Sequence, residues 1–267
     1  MITLTNINKT FKTAKRGKGT TAALKSLFRR EYKYVQALDN VSFHAGKGEI
    51  IGYIGPNGAG KSTSIKVMSG ILVPDGGYCS VMGFTPWKQR REYVRNIGVV
   101  FGQRTQLWWD VPVADSFDLL RDIYRVPDVE YRRNLELLTE TIGLREFINT
   151  PLRQLSLGQR MRAEIAASLL HSPKVLFLDE PTIGLDAPSK LAVRQFIRDV
   201  NAETKLTVIL TTHDMNDIEA LTDRVILIGK GRILRDGSFA EIKHEFGKEM
   251  STEEVVAELY RQYEIVV

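Results

Sequence analysis

The chain has 267 residues, 43% of them hydrophobic and 26% charged, with a formal net charge of +5; this balance suits one large soluble domain and excludes a chain too polar to fold. The single cysteine, Cys79, excludes an intrachain disulfide and suits a reducing compartment. No apolar run approaches the roughly 18 residues of a membrane-spanning helix, and the opening MITLTNINKTF lacks the basic and apolar regions of a secretory signal.

In chain order, ITLTNI reads as a strand, followed by a basic segment in which Lys9, Lys12, Lys15, Arg16, Lys18, Lys25, Arg29, Arg30 and Lys33 face one acid, Glu31. Such a segment suits phosphate groups or anionic lipid. If helical, residues 22–35 put Leu24, Leu27 and Phe28 on one stripe with cations beside it, a pattern suited to a lipid–water boundary; the alternative is a solvated insertion. With no nucleic-acid reader motif beside it, a stand-alone nucleic-acid role is not expected.

VSFHAGKGEIIGYIG then reads as strand, Gly-rich turn and strand, and KSTSIKVMSG as a short helix stopped at Gly70. IGVVF (97–101), KVLFLDE (174–180) and LTVILTTH (206–213) are short apolar runs, as expected of strands buried on both faces. Helical stretches fall at 113–125, 130–142, 156–170 and 187–203, and the block from 104 to about 170 reads as an inserted helical subdomain. VILIGKGRILRDG reads as a hairpin, and STEEVVAELYRQY as a closing helix with Ser251 and Glu254 in capping-box spacing. Strands alternating with helices predict an α/β fold around a mainly parallel sheet.

Gly55 to Ser62 satisfies G-x-x-x-x-G-K-[ST], after a strand and before a helix. Glycines allow successive N–H groups to converge on one point, and the helix start adds partial positive charge. The result is a socket for the phosphates of a nucleoside triphosphate, with Lys61 reaching the β- and γ-phosphates and Ser62 ligating Mg²⁺. Asp179 and Glu180 end an apolar strand; a buried acid there is costly unless a cation neutralises it, so Asp179 fits the Mg²⁺ shell and Glu180 a general base.

Read together, residues 37–237 resemble the nucleotide-binding subunit of an ABC transporter. GPNGAGKST resembles the family's Walker A loop (Gly55, Pro56, Asn57, Gly58, Ala59, Gly60, Lys61, Ser62, Thr63), VLFLDE its Walker B strand, and Gln103 its Q-loop glutamine. LSLGQ, with Ser156, Leu157, Gly158 and Gln159, resembles the LSGGQ signature, Asp186 belongs to a D-loop-like GLD, and His213 matches the switch histidine. The resemblance implies a P-loop NTPase fold of ABC type, with an antiparallel β subdomain and an inserted α-helical subdomain. It implies an ATPase with ATP and Mg²⁺ as cofactors, Glu180 and His213 as catalytic residues, and Ser62, Gln103 and Asp179 around the metal.

Further implications follow for the assembly. Two copies, or this chain and a homologue, sandwich two ATP, each signature serving the nucleotide of the opposite subunit. Leucine in place of the first signature glycine is expected to disfavour positive φ at residue 157. In the family an aromatic ring stacks on adenine; Tyr32 has the usual spacing, with Tyr34 and Phe11 as competitors. Trp108 and Trp109 follow the Q-loop where the family receives its membrane partner, and at least one ring is expected to face away from the local core. YVQALDNVSF, QRTQLWW and LSLGQRMRAEIAASLLH resemble ABC-2-type exporters, so the expectation is an ABC ATPase domain over 1–237, a short helical extension over 238–267, and a place at the cytoplasmic face of the cell membrane through a separate permease. The alternatives are an importer subunit, or a soluble ABC ATPase acting on ribosomes or DNA.

Overall fold

Four five-residue strands stack side by side because nearly every residue in them is buried. These are β3 (Ile50–Ile54), β5 (Ile97–Phe101), β6 (Val175–Asp179) and β7 (Thr207–Thr211). With β8 (Arg224–Gly229) and β9 (Arg232–Ser238) they make a six-stranded sheet in the order β5-β6-β7-β3-β8-β9, parallel throughout except for the β8–β9 hairpin. A computed structural model describes residues 1–14, 32–102, 104–246 and 250–263.

A second, antiparallel sheet of order β2-β1-β4 is built from β1 (Ile2–Ala14), β2 (Tyr32–Ala45) and β4 (Gly76–Val81). Its inward residues, among them Ile2, Leu4, Ile7, Val41 and Val81, share one core with Ile51, Tyr53, Phe177 and Ile209 of the parallel sheet. Helix α1 (Lys61–Met68) packs in that core, where the Tyr53 hydroxyl lies 3.0 Å from Ser64 Oγ.

The opposite face carries the helical block: α2 (Val113–Tyr124), α3 (Asp128–Ile142) and α4 (Leu157–Leu169), with α5 (Ala187–Thr204) beside it. Phe117, Phe147, Leu152 and Met161 are buried together with Leu176, Leu178 and Leu210 of the sheet, so one core joins the block to the strands. Helix α6 (Met215–Leu221) and the C-terminal α7 (Phe239–Phe246) and α8 (Thr252–Gln262) cover Ile54, Val225 and Leu227. The α/β architecture and the capping box of Ser251 with Glu254 match the sequence reading.

Two readings change. The helix considered for 22–35 does not reach its C-terminal end: Tyr32–Val35 are extended in β2, paired with Phe11–Ala14 of β1, and the rest of that stretch lies outside the described residues. Strand β4 was not foreseen at all.

Candidate active site

The parallel strands expose their C-terminal tips on one edge, and the loop from Gly55 to Gly60 rises there between β3 and α1. Its glycines are sterically required. A Cβ on Gly55 would lie 2.1 Å from the Ile228 carbonyl oxygen, and Gly60 has φ +112° with the Ala37 carbonyl 2.6 Å from where its Cβ would be. Gly60 caps α1 without any side chain, which leaves the first-turn N–H groups to an external acceptor. Lys61 is only 6% exposed, and its Nζ donates to the Gly55 carbonyl at 2.5 Å and the Pro56 carbonyl at 3.2 Å. Burial holds its pKa below the usual lysine value, opposed by the charges of Glu180 and Asp179.

One oxygen of Asp179 gathers two hydroxyl donors, Thr211 Oγ1 at 2.6 Å and Ser62 Oγ at 3.2 Å. The next residue, Glu180, has φ +60°, a strained conformation for a side-chain-bearing residue. It is held there by its N–H, which donates to the carbonyl and the hydroxyl of Thr211 at 3.0 and 3.1 Å. Burial raises the Glu180 pKa, Lys61 pulls it back, and Asp179 and Asp217 raise it further. His213 Nε2 lies 2.8 Å from Glu180 Oε1. Burial first, and Lys61 second, hold the His213 pKa below the usual value, so at neutral pH the imidazole is uncharged and Nε2 carries the proton that it donates.

Asn57, Ser62, Lys66, Asp179, Glu180 and His213 face one cavity of about 420 Å³. Gly102 joins it, its N–H donating to the Asp179 carbonyl at 2.8 Å; Gln103, next in the chain, lies outside the described residues.

The signature stretch forms the start of α4. Ser156 is its N-cap: its Oγ accepts from the Gln159 N–H at 3.2 Å while the Ser156 N–H donates to Gln159 Oε1 at 3.0 Å. Gly158 abuts the start of α5, where an added Cβ would lie 2.2 Å from Ser189 Oγ, and Asp186 caps α5 by accepting from the Ser189 N–H at 2.9 Å. Leu157 stays out of positive φ, as expected of a leucine. The helix begins at that residue, which lies outside the left-handed region, so a side chain is tolerated and points to solvent at 43% exposure. Ser156, Gly158 and Gln159 are not among the residues lining the phosphate-loop cavity.

Residues 38–183 match the ABC transporter family, and they carry both the phosphate loop and this signature helix. The chain belongs to the ABC transporter family. It is similar to the methionine import ATP-binding protein MetN of Geobacillus kaustophilus, 36% identical over 245 residues covering 86% of this chain and 71% of that protein. It is likewise similar to the Nod factor export ATP-binding protein I of Ralstonia nicotianae, 35% identical over 221 residues covering 82% and 68%. Among solved structures, the dimeric ATP-binding cassette MJ0796, in a post-hydrolysis state bound to ADP and Pi, aligns with a TM-score of 0.73 at 27% identity over 89% of this chain and 98% of that one. This chain is therefore an ABC-type ATPase, from a family whose cassettes dimerise and work with membrane permease subunits.

Other expected positions of the cassette fall as follows. Trp108 and Trp109 are 41% and 46% exposed, so both rings face away from the core, and the Arg160 guanidinium lies 4.5 Å from the Trp109 ring centre. Tyr32 stands opposite Ala14, five residues before Ala37, whose carbonyl touches the phosphate loop. At about 3.3 Å per residue that is roughly 16 Å along the strand. Phe11 stands opposite Val35, two residues from Ala37. Lys12 Nζ sits 3.8 Å from the Tyr32 ring centre and covers one face of it.

Three residues near the site were not foreseen. Thr211 holds both Asp179 and Glu180. Asp217, fully buried, accepts from Thr182 and Thr212 at 2.5 and 2.6 Å and from Arg194 Nε at 2.6 Å, which fixes the loop beyond His213. Glu253 of α8 lines a neighbouring cavity with Glu180 and His213. The signal available was LTTHD, where hydroxyls interrupt an otherwise apolar strand end.

Proposed function

We propose that this chain binds and hydrolyses ATP to power export through a separate, membrane-spanning ABC-2-type permease, as two copies sandwiching two ATP. The observation that carries the reading is that Ser62, Asp179, Glu180 and His213 face one cavity beside Lys61, while the signature serine lies off it. A second copy is the natural source of a signature for that cavity. No helix among the described residues is long and apolar enough to cross a membrane, in keeping with a peripheral subunit on the cytoplasmic face.

In this reading Lys61 leaves the Gly55 and Pro56 carbonyls for the β- and γ-phosphate oxygens, joined by the N–H groups of the loop. Glu180 takes the proton of the attacking water, and His213, neutral and donating to Glu180, holds that carboxylate in place. The Ser62 hydroxyl and Asp179 carboxylate are hard oxygen donors 3.2 Å apart and would fit Mg²⁺. Bound with nucleotide, the metal neutralises charge on the β- and γ-oxygens. The resemblance to the family's Q-loop glutamine would add Gln103, which lies outside the described residues, to the same shell. For adenine the register favours Phe11 over Tyr32, which stands farther along the strand; a lysine lies near each ring, Lys9 at 5.9 Å from Phe11 and Lys12 at 3.8 Å from Tyr32.

The signature assignment has its own test. Ser156→Ala removes the cap of α4, for an expected loss of about 1 kcal/mol, or roughly 2–4 °C in Tm at this size. Ser156→Asp restores the cap and the Tm but sets a carboxylate against the partner's nucleotide, so its ATPase falls below that of the alanine variant. Recovery of both properties in Ser156→Asp contradicts the anion role.

Export is the finer part of the proposal, since relatives named for import and for export are both similar to this chain. It is supported by the QRTQLWW and LSLGQRMRAEIAASLLH stretches and by the two exposed tryptophans, which suit a permease helix. Affinity capture of the tagged chain from detergent extracts is expected to recover a membrane protein with several spans, encoded beside it without an external binding protein. Recovery of ribosomes or DNA with no membrane protein overturns the transport reading, and a neighbouring binding protein shifts it to import.

A further inference from the structure

A second cavity, apart from the phosphate loop, lies at the other edge of the core sheet. Lys47 precedes β3, Lys174 immediately precedes β6, and Lys205 and Leu206 precede β7, so this cavity opens at the N-terminal ends of strands whose C-terminal tips carry the phosphate loop and Glu180. Five-residue strands separate the two edges by roughly 16 Å. The volume is about 680 Å³, within the range of about 300–1,000 Å³ typical of small-molecule sites. Its floor is aliphatic: Leu138 and Leu169 are 4% and 7% exposed, Leu206 is 3% exposed, and Val200 closes the side from α5.

The rim has the opposite character. Lys47, Arg133, Lys174 and Lys205 line it against one carboxylate, Glu203, and none of these side chains has an ion-pair partner among the described residues. Lys205 closes the C-terminus of α5 and offsets the partial negative charge there, which leaves three cations facing the opening. Asn134 is already committed, donating to the Leu170 carbonyl at 2.9 Å and to Ser172 Oγ at 2.8 Å. An apolar cleft rimmed by unpaired cations matches an apolar body with one anionic head.

We propose that this cavity is a binding site for a single-chain amphipathic carboxylate, its alkyl chain on Leu138, Leu169, Val200 and Leu206 and its carboxylate between Lys47, Lys174 and Arg133. The cavity is shared by α3 of the helical block, by α5, which begins at Asp186, and by the β6 and β7 starts. An occupant therefore bridges the helical block and the ATP-binding core, where it can bias their relative position. The proposal does not depend on the transport reading.

The test is calorimetric titration of the purified full chain with decanoate and, separately, with decyltrimethylammonium, both below their micelle-forming concentrations. Decanoate is expected to bind saturably at one per chain, and the cationic amphiphile at least about tenfold more weakly. The double variant Lys47→Gln/Lys174→Gln should weaken decanoate by about tenfold while leaving Tm and ATP hydrolysis unchanged. Should the double variant fold poorly, Lys47→Gln alone and the comparison of the two amphiphiles on the wild type still decide. Equal binding of both amphiphiles, no saturable decanoate binding, or unchanged affinity in the lysine variants overturns the proposal. So does loss of decanoate binding in Lys61→Ala, which would move the site to the phosphate loop.

Discussion

Glu180→Gln binds ATP with near wild-type affinity and hydrolyses it about 10²- to 10⁴-fold more slowly, the range a positioned general base supplies. The substitution changes little except the proton acceptor. Glutamine has almost the same shape, its amide oxygen still accepts from His213 Nε2, and the backbone N–H keeps its bonds to Thr211. Removing one negative charge beside the γ-phosphate also lessens repulsion, so a closed ATP-bound dimer accumulates. Size-exclusion chromatography with ATP and Mg²⁺ should show that dimer for the variant, whereas the wild type returns to monomer as it turns over.

As the proposed base, the same residue is expected to set the acidic limb of the pH profile. Burial and the neighbouring carboxylates of Asp179 and Asp217 raise the Glu180 pKa above the ordinary glutamate value, and Lys61 only partly opposes them. The reactive form is the carboxylate, so wild-type hydrolysis is lost as pH falls through this raised pKa, and Glu180→Gln loses that limb. A variant that stays monomeric with ATP, or that hydrolyses at the wild-type rate, removes Glu180 from the role of base.

How far the sequence anticipates this site depends on the range over which each residue acts. The phosphate loop is legible because phosphate binding dictates residue types over eight consecutive positions, and β3, β5, β6 and β7 because strands buried on both faces leave continuous apolar runs. Strand β4 is not legible. Its Gly76, Gly77 and half-exposed Tyr78 break any alternation, and Gly77 is there because a Cβ would lie 2.3 Å from the Asn6 carbonyl across the pair. The ends of β1 and β2 fail for a related reason: Tyr32–Val35 are exposed and extended by pairing with β1, which a local helical pattern cannot register. Thr211 acts on Asp179, 32 residues away, and Asp217 accepts from Thr182 and Arg194, 35 and 23 residues away, as well as from the nearby Thr212, so most of what these two residues hold is not local in sequence. The absence of positive φ at Leu157 was legible from residue type alone, because leucine disfavours it.

Lys61→Ala lowers nucleotide affinity by roughly ten- to a hundredfold, the worth of one or two charge-assisted hydrogen bonds to phosphate, and hydrolysis falls with it. The loop itself survives, because the Gly231 N–H still donates to the Ala59 carbonyl at 2.9 Å and the Ala59 N–H to the Pro56 carbonyl at 3.1 Å. What is lost is a buried cation beside the Asp179–Glu180 pair, whose charges it partly balances. Without it those two carboxylates repel each other and the incoming phosphates more strongly, so the Glu180 pKa rises further and the base is weakened as well as the binding. Arginine does not substitute: its planar guanidinium is bulkier than the ammonium held at 2.5 Å from the Gly55 carbonyl, in a site where lysine is only 6% exposed. Titration with a fluorescent ATP analogue gives the affinity and phosphate release gives the rate. Unaltered affinity and turnover in purified Lys61→Ala would place the phosphates elsewhere on the chain.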